Sequence, residues 1–67
     1  MKIILNDVPV TLPDDLRTIT DLVKWKNIPS QGTAVALNDN LIRQEFWPVT
    51  DLKDLDQITV ISAAYGG

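Results

Sequence analysis

"QITVIS", residues 57–62, decides the fold. Successive side chains of a strand point to opposite faces, so Ile58 and Val60 share one face and Ile61 takes the other. Apolar residues on both faces predict a strand in the middle of a sheet, covered on both sides. "KIILN", residues 2–6, has the same property through Ile3, Ile4 and Leu5. The two stretches lie near opposite ends of the chain. Their pairing at the centre of one sheet gathers the sequence into one domain.

The segments between them fill in that sheet. Asn6-Asp7 is a two-residue turn, because both residue types tolerate positive φ. "VPVTL", residues 8–12, alternates, with Val8, Val10 and Leu12 on one face. Pro9 has no N–H to give to a ladder, so this strand belongs at an edge. "AVALN", residues 34–38, is a further strand, Asp39-Asn40 a turn, and "LIR", residues 41–43, a short strand. "QEFWPVTDLKDLD", residues 44–56, is irregular or weakly helical and is broken by Pro48.

One helix is predicted, within "DLRTITDLVKWKNIP", residues 15–29. Thr18 caps its start, and Asp21, three residues on, approaches a capping box and favours the helix dipole. Ile19, Leu22 and Val23 recur at helical spacing on one face. Lys24 and Lys26 occupy the last turn. Asn27 takes the left-handed residue after the helix, Ile28 folds back onto the apolar face, and Pro29 prevents continuation. Two turns do not stand alone in water, so the helix packs on the sheet. The expected fold is α+β, a mixed sheet of four to five strands with one main helix on one face. Residues 1–62 form the domain, and residues 63–67 a tail leaving the sheet from a central strand.

Composition narrows the function. The chain has 67 residues, 45% of them hydrophobic, with a net charge of −3 and neither cysteine nor histidine. There is no thiolate, no imidazole and no disulfide framework. The acidic balance argues against nucleic acid and against an anionic membrane surface as partners. Apolar runs such as Ile3-Ile4-Leu5 fall far short of the roughly 20 residues of a membrane span. A soluble cytoplasmic protein is the default. Asp14-Asp15 and the cluster Asp51, Asp54 and Asp56 read as loop chemistry, aspartates bonding their own backbone. Calcium-loop spacing is absent, and no metal site is expected. No residue qualifies as a nucleophile or catalytic base, so no catalytic residue and no enzyme activity are assigned. Phe46, Trp47 and Arg43 form a candidate partner interface. Phe46 is first expected to lie over the edge of a thin core, whereas Trp47 suits core and interface equally. Trp25 lies off the main helical stripe.

The sequence ends "AAYGG", residues 63–67, with two of the three glycines of the chain at its end. Five extended residues reach roughly 17 Å, enough to carry a carboxylate into a deep pocket of another protein. Glycine lacks the Cβ that would meet a tunnel wall. The Gly67 carboxylate is therefore the candidate reactive group, with Ala63, Ala64, Tyr65 and Gly66 threading into partner active sites. With an ordinary pKa of about 3.3–3.7, a terminal carboxylate is ionised at neutral pH and resists nucleophiles. It needs activation, most simply as a mixed anhydride made with ATP. No phosphate-binding loop is present here, so a partner performs that step.

At this point the chain resembles the ubiquitin-like β-grasp sulfur carriers, most closely the ThiS family of thiamin biosynthesis. The resemblance covers the whole chain. "IILN" opens it. "AVALNDNLIRQEF" resembles the family's strand, Asn turn, short strand and Arg-x-x-aromatic, through Asn38, Arg43 and Phe46. "LKDLDQITVI" resembles the approach to the last strand, and Gly66-Gly67 the functional terminus. The short length favours ThiS over the related small subunit of molybdopterin synthase. Three positions depart from the family pattern: Leu55-Asp56 replaces Gly-Asp, Tyr65 precedes the glycines where smaller residues are usual, and Asn27 stands where a glycine often ends the helix.

The resemblance implies a cycle. An E1-like enzyme of the ThiF type uses ATP to adenylate the Gly67 carboxylate. A cysteine-derived sulfur displaces AMP and leaves a C-terminal thiocarboxylate. Thiazole synthase of the ThiG type then takes that sulfur. The carrier binds no cofactor and acts as a cosubstrate. The rival readings are sulfur transfer to molybdopterin or another thiocarboxylate pathway, and a non-catalytic β-grasp binding module with an incidental glycine end.

Overall fold

The computed structural model describes residues 1–62; the expected tail, residues 63–67, lies outside the described residues. Five strands form one sheet: β1 (Lys2–Leu5), β2 (Val8–Thr11), β3 (Thr33–Leu37), β4 (Asn40–Ile42) and β5 (Gln57–Ser62). Their spatial order is β2-β1-β5-β3-β4. β1 and β5 pair in parallel, Ile4 opposite Gln57 and Leu5 opposite Ile58, and all other pairs are antiparallel. The two strands expected at the centre are adjacent there, and β2 with Pro9 is an edge. This is the β-grasp fold.

Two turns of one kind build the two hairpins. Asn6 and Asp7 have φ of 48° and 67°, and Asn38 and Asp39 have 49° and 71°. Positive φ at both central residues matches the right-handed twist of the flanking strands. The second turn is therefore Asn38-Asp39, one residue earlier than expected, and Asn40 already belongs to β4. The register decides this, since Leu37 stands opposite Asn40.

The helix α1 spans Ile19–Trp25. Its start is a complete capping box: the Asp21 amide donates to Thr18 Oγ1 at 3.2 Å, and Asp21 Oδ2 accepts from the Thr18 amide at 3.1 Å. Asp21 Oδ2 also accepts from the Arg17 amide at 3.0 Å. The bonds from Arg17 and then Thr18 hold the Asp21 carboxyl below the usual aspartate range, because they favour its charged form. At the other end Asn27 has φ 56°. The Asn27 amide donates to Lys24 O at 3.1 Å and the Ile28 amide to Val23 O at 2.9 Å. This pair of bonds is a Schellman motif, and it turns Ile28 into the core.

Ile19, Leu22 and Val23 of α1 pack on Ile3, Leu5, Val35, Ile58 and Val60 of the sheet. One short helix covers one face. The other face of the central strands is open, which corrects the expected two-sided covering. β5 alternates buried Ile58, Val60 and Ser62 with exposed Gln57, Thr59 and Ile61, and Ile61 is 67% exposed.

Residues Gln44–Val49 form a 3₁₀ helix that packs against α1. Within it the two adjacent aromatics exchange their expected places. Trp47 is 4% exposed and its Nε1–H donates to Ile42 O at 2.9 Å, while Phe46 is 50% exposed. Trp47 is thus core and offers no surface to a partner. The tighter 3₁₀ turn aims residue 47 at the helix and residue 46 outward, where an extended segment would have left the choice open.

Candidate functional site

The site is built on the end of β5. That strand has neighbours on both sides, so its direction is fixed before it delivers the chain to residue 63. Ser62 stands opposite Thr33 and is buried; Ile61 stands opposite Ala34 and faces out. Thr33 is itself held: its hydroxyl donates to Pro29 O, and its carbonyl accepts from Gln44 Nε2 at 3.4 Å. Gln44 Nε2 also donates to Ser30 O. The loop beside the strand end is thereby tied to the 3₁₀ helix.

Next to this exit lies the open sheet face. The pairings Ala34 with Ile61, Ala36 with Thr59 and Ala36 with Leu41 put these five residues on one surface. Leu41 is 71% exposed. Two large apolar side chains on a floor of alanines make a shallow surface that suits a flat protein partner. Arg43 continues the register of β4 past Ile42 and is exposed at the rim. Among the described residues no hydrogen bond or ion pair holds its guanidinium. Of the three expected interface residues, Arg43 and Phe46 are therefore at the surface, and Trp47 is inside. Ile61 and Leu41 were missed. The alternation of β5 carried the signal, since Ile61 breaks a run whose other outward residues are polar.

The acidic residues gather at the opposite end of β5. Asp56 Oδ2 accepts from the Lys53 amide at 2.7 Å and its Oδ1 from Asn38 Nδ2 at 3.0 Å. Asp54 Oδ1 accepts from the Lys2 amide at 2.9 Å. These carboxylates serve as turn and strand-end acceptors. Among the described residues no group of three or more metal-ligating side chains comes together, and no helix is long and apolar enough to cross a membrane. A hollow of about 320 Å³ lies between α1 and the 3₁₀ helix, with Lys24 the only charged residue in its lining. Nothing near it supplies a nucleophile. Residues 63–67, expected to carry the chemistry, lie outside the described residues.

Leu55 has φ 69° and is exposed. A left-handed conformation costs a leucine roughly 1–2 kcal/mol. The position where the resemblance led one to expect glycine is thus one whose backbone suits glycine.

Comparison with known proteins agrees with this architecture. The thiamine biosynthesis protein ThiS from Geobacter metallireducens has a similar structure, with a TM-score of 0.83 over 100% of both chains and 23% sequence identity. No curated protein matches the sequence. The model of the ThiS family matches residues 3–67, from the first central strand through both terminal glycines. The chain belongs to the ThiS family.

Proposed function

We propose that the chain is a sulfur carrier for thiamin biosynthesis whose working atom is the carbonyl carbon of Gly67. The observation that carries this reading is the family match running through Gly66 and Gly67. The fold supports it, because the central strand β5 aims the terminal segment away from a supported sheet.

The chemistry runs in two steps on a partner enzyme. A Gly67 carboxylate oxygen attacks the α-phosphorus of ATP; the bond to the β-phosphate breaks and pyrophosphate leaves. A cysteine-derived sulfur nucleophile then attacks the acyl carbon, and AMP leaves with the oxygen that had attacked phosphorus. The product is a thiocarboxylate, whose sulfur is softer and more polarizable than the oxygen it replaces. Thiazole synthase receives that sulfur. The chain is a cosubstrate and its partners hold the catalytic groups.

The test is intact mass. After incubation with a ThiF-type adenylating enzyme, ATP and a sulfur source, the chain is expected to gain the difference between one sulfur and one oxygen. An unchanged mass, with a known carrier loaded in parallel by the same reagents, refutes the assignment. Complementation of a thiazole-requiring strain checks the pathway.

The adenylating enzyme docks on the open face around Ile61 and Leu41. Ile61→Asp is expected to weaken that complex at least about tenfold, because a carboxylate replaces an apolar contact at the interface. The exposed position keeps the loss of fold stability to about 1 kcal/mol or less. Calorimetric titration of the pair measures the first and thermal melting the second. Unchanged affinity moves the docking surface elsewhere.

A further inference from the structure

The β1 backbone accompanies β5 only part of the way. Their pairing ends at Leu5 opposite Ile58, and the last main-chain bond between them runs from the Asn6 amide to Ile58 O at 2.9 Å. β5 continues four residues further, to Ser62. The Asn6 side chain takes over where the β1 backbone turns away. Its Oδ1 accepts from the Val60 amide at 2.8 Å, and its Nδ2 donates to Val60 O at 3.3 Å. A primary amide has the same donor and acceptor as a peptide group, so it adds one more rung to the parallel pair. Val60 faces Val35 on the other side. Because both Val60 main-chain groups point to Asn6, that pair is a non-hydrogen-bonded one in the β3–β5 ladder.

The second Asn-Asp turn does the same at the start of β5. Asn38 Oδ1 accepts from the Gln57 amide at 2.9 Å, and the Asn38 amide donates to Gln57 O at 2.7 Å. Each asparagine is also the first left-handed residue of its turn. One clamp sits where the strand begins, the other two residues before it ends.

We propose that Asn6 is a positioning residue for the terminal carboxylate: its amide fixes the last ordered point of β5 and so sets the length of chain that must place Gly67 in a partner's active site. This rests on the sulfur-carrier reading given above. Asn6 touches no reacting atom and acts through Val60. With the clamp present, the tether is counted from Ser62. Without it, the strand opens back toward Ile58, the tether lengthens, and fewer of its conformations bring the carboxylate to ATP. Misplacing a reacting group by even about 1 Å costs on the order of 10²-fold in rate.

Asn6→Gly isolates the effect, because glycine keeps the positive φ of the turn and removes only the amide. Its kcat for adenylation is expected to fall about tenfold with KM unchanged, since docking uses the sheet face and placement uses the clamp. Asn6→Asp keeps the acceptor for the Val60 amide and falls between the two. Asn38→Gly makes the same chemical change at the far end of β5 and is expected to leave kcat as in the original chain. Hydrogen exchange reads the clamp without any enzyme. The Val60 amide in Asn6→Gly is expected to exchange about tenfold faster, matching the loss of two hydrogen bonds, with the Ile58 amide unchanged. Equal exchange at Val60, or equal loss of kcat in Asn6→Gly and Asn38→Gly, overturns the proposal. If the original chain accepts no AMP at all, the sulfur-carrier reading fails, and the exchange experiment still decides whether Asn6 ends the ordered strand.

Discussion

A chain lacking Gly67 is expected to fold as the full chain does and to take up no measurable sulfur. Every buried apolar side chain among the described residues lies between Ile3 and Val60. Removing residue 67 therefore takes nothing from the core, and the thermal melt should superimpose on that of the full chain. The chemistry is different. Deleting one extended residue withdraws the carboxylate by roughly 3.3–3.6 Å. A reacting group tolerates about 1 Å before the rate falls on the order of 10²-fold. The shortened chain still ends in a glycine carboxylate, so its failure would be a failure of reach.

Adding one alanine after Gly67 tests the converse. The Gly67 carbonyl becomes part of a peptide bond and loses its anionic oxygen, so it has nothing with which to attack ATP. The new carboxylate lies one residue too far. Gly67→Ala keeps both reach and charge and adds only a Cβ, so it separates length from width. Intact mass after incubation with the adenylating enzyme, ATP and the sulfur source reads all three. Sulfur uptake by either the shortened or the extended chain at more than about a tenth of the full rate would place the reactive group elsewhere.

Local chemistry was legible in the sequence, and layering was not. Thr18, Asp21, Asn27 and Ile28 act through neighbours three to five residues away, and the structure shows the capping box and the Schellman motif they predict. The adjacency of β1 and β5 was legible because a two-sided apolar strand has few other places to go. Whether both faces are covered depends on how many elements the chain can lay over the sheet. A seven-residue helix covers one face, which leaves Ile61 outside. The exchange of Phe46 and Trp47 turned on a 3₁₀ geometry that residue types do not announce. The second task of Asn6 and Asn38 was hidden for another reason. Asparagine at a hairpin turn is already explained by its φ, and nothing in the sequence says that its amide also reaches a strand 54 or 19 residues away.

The largest effect on stability is expected at Trp47. Replacing it with alanine removes a side chain that is 4% exposed and lies in the core cluster between sheet and helix. Such truncations cost about 3–5 kcal/mol. A domain of 67 residues has roughly 3–10 kcal/mol in all, so Trp47→Ala is expected to be largely unfolded at 37 °C. Trp47→Phe separates packing from hydrogen bonding. It keeps most of the apolar volume and takes away the Nε1–H that donates to Ile42 O at 2.9 Å. The half-buried carbonyl loses its partner, at about 1–2 kcal/mol, which lowers the melting temperature by roughly 4–16 °C. Phe46→Ala, next in sequence and half exposed, is expected to shift it by only a few degrees. Urea melts followed by far-ultraviolet circular dichroism give the three values on one scale. If Phe46→Ala proves as costly as Trp47→Ala, the assignment of Trp47 to the core and Phe46 to the surface is reversed. The pathway consequence is separate from the chemistry: an unfolded Trp47→Ala chain still carries Gly66 and Gly67, so its failure to load sulfur would show that the adenylating enzyme recognises the folded sheet face and not the glycine end alone.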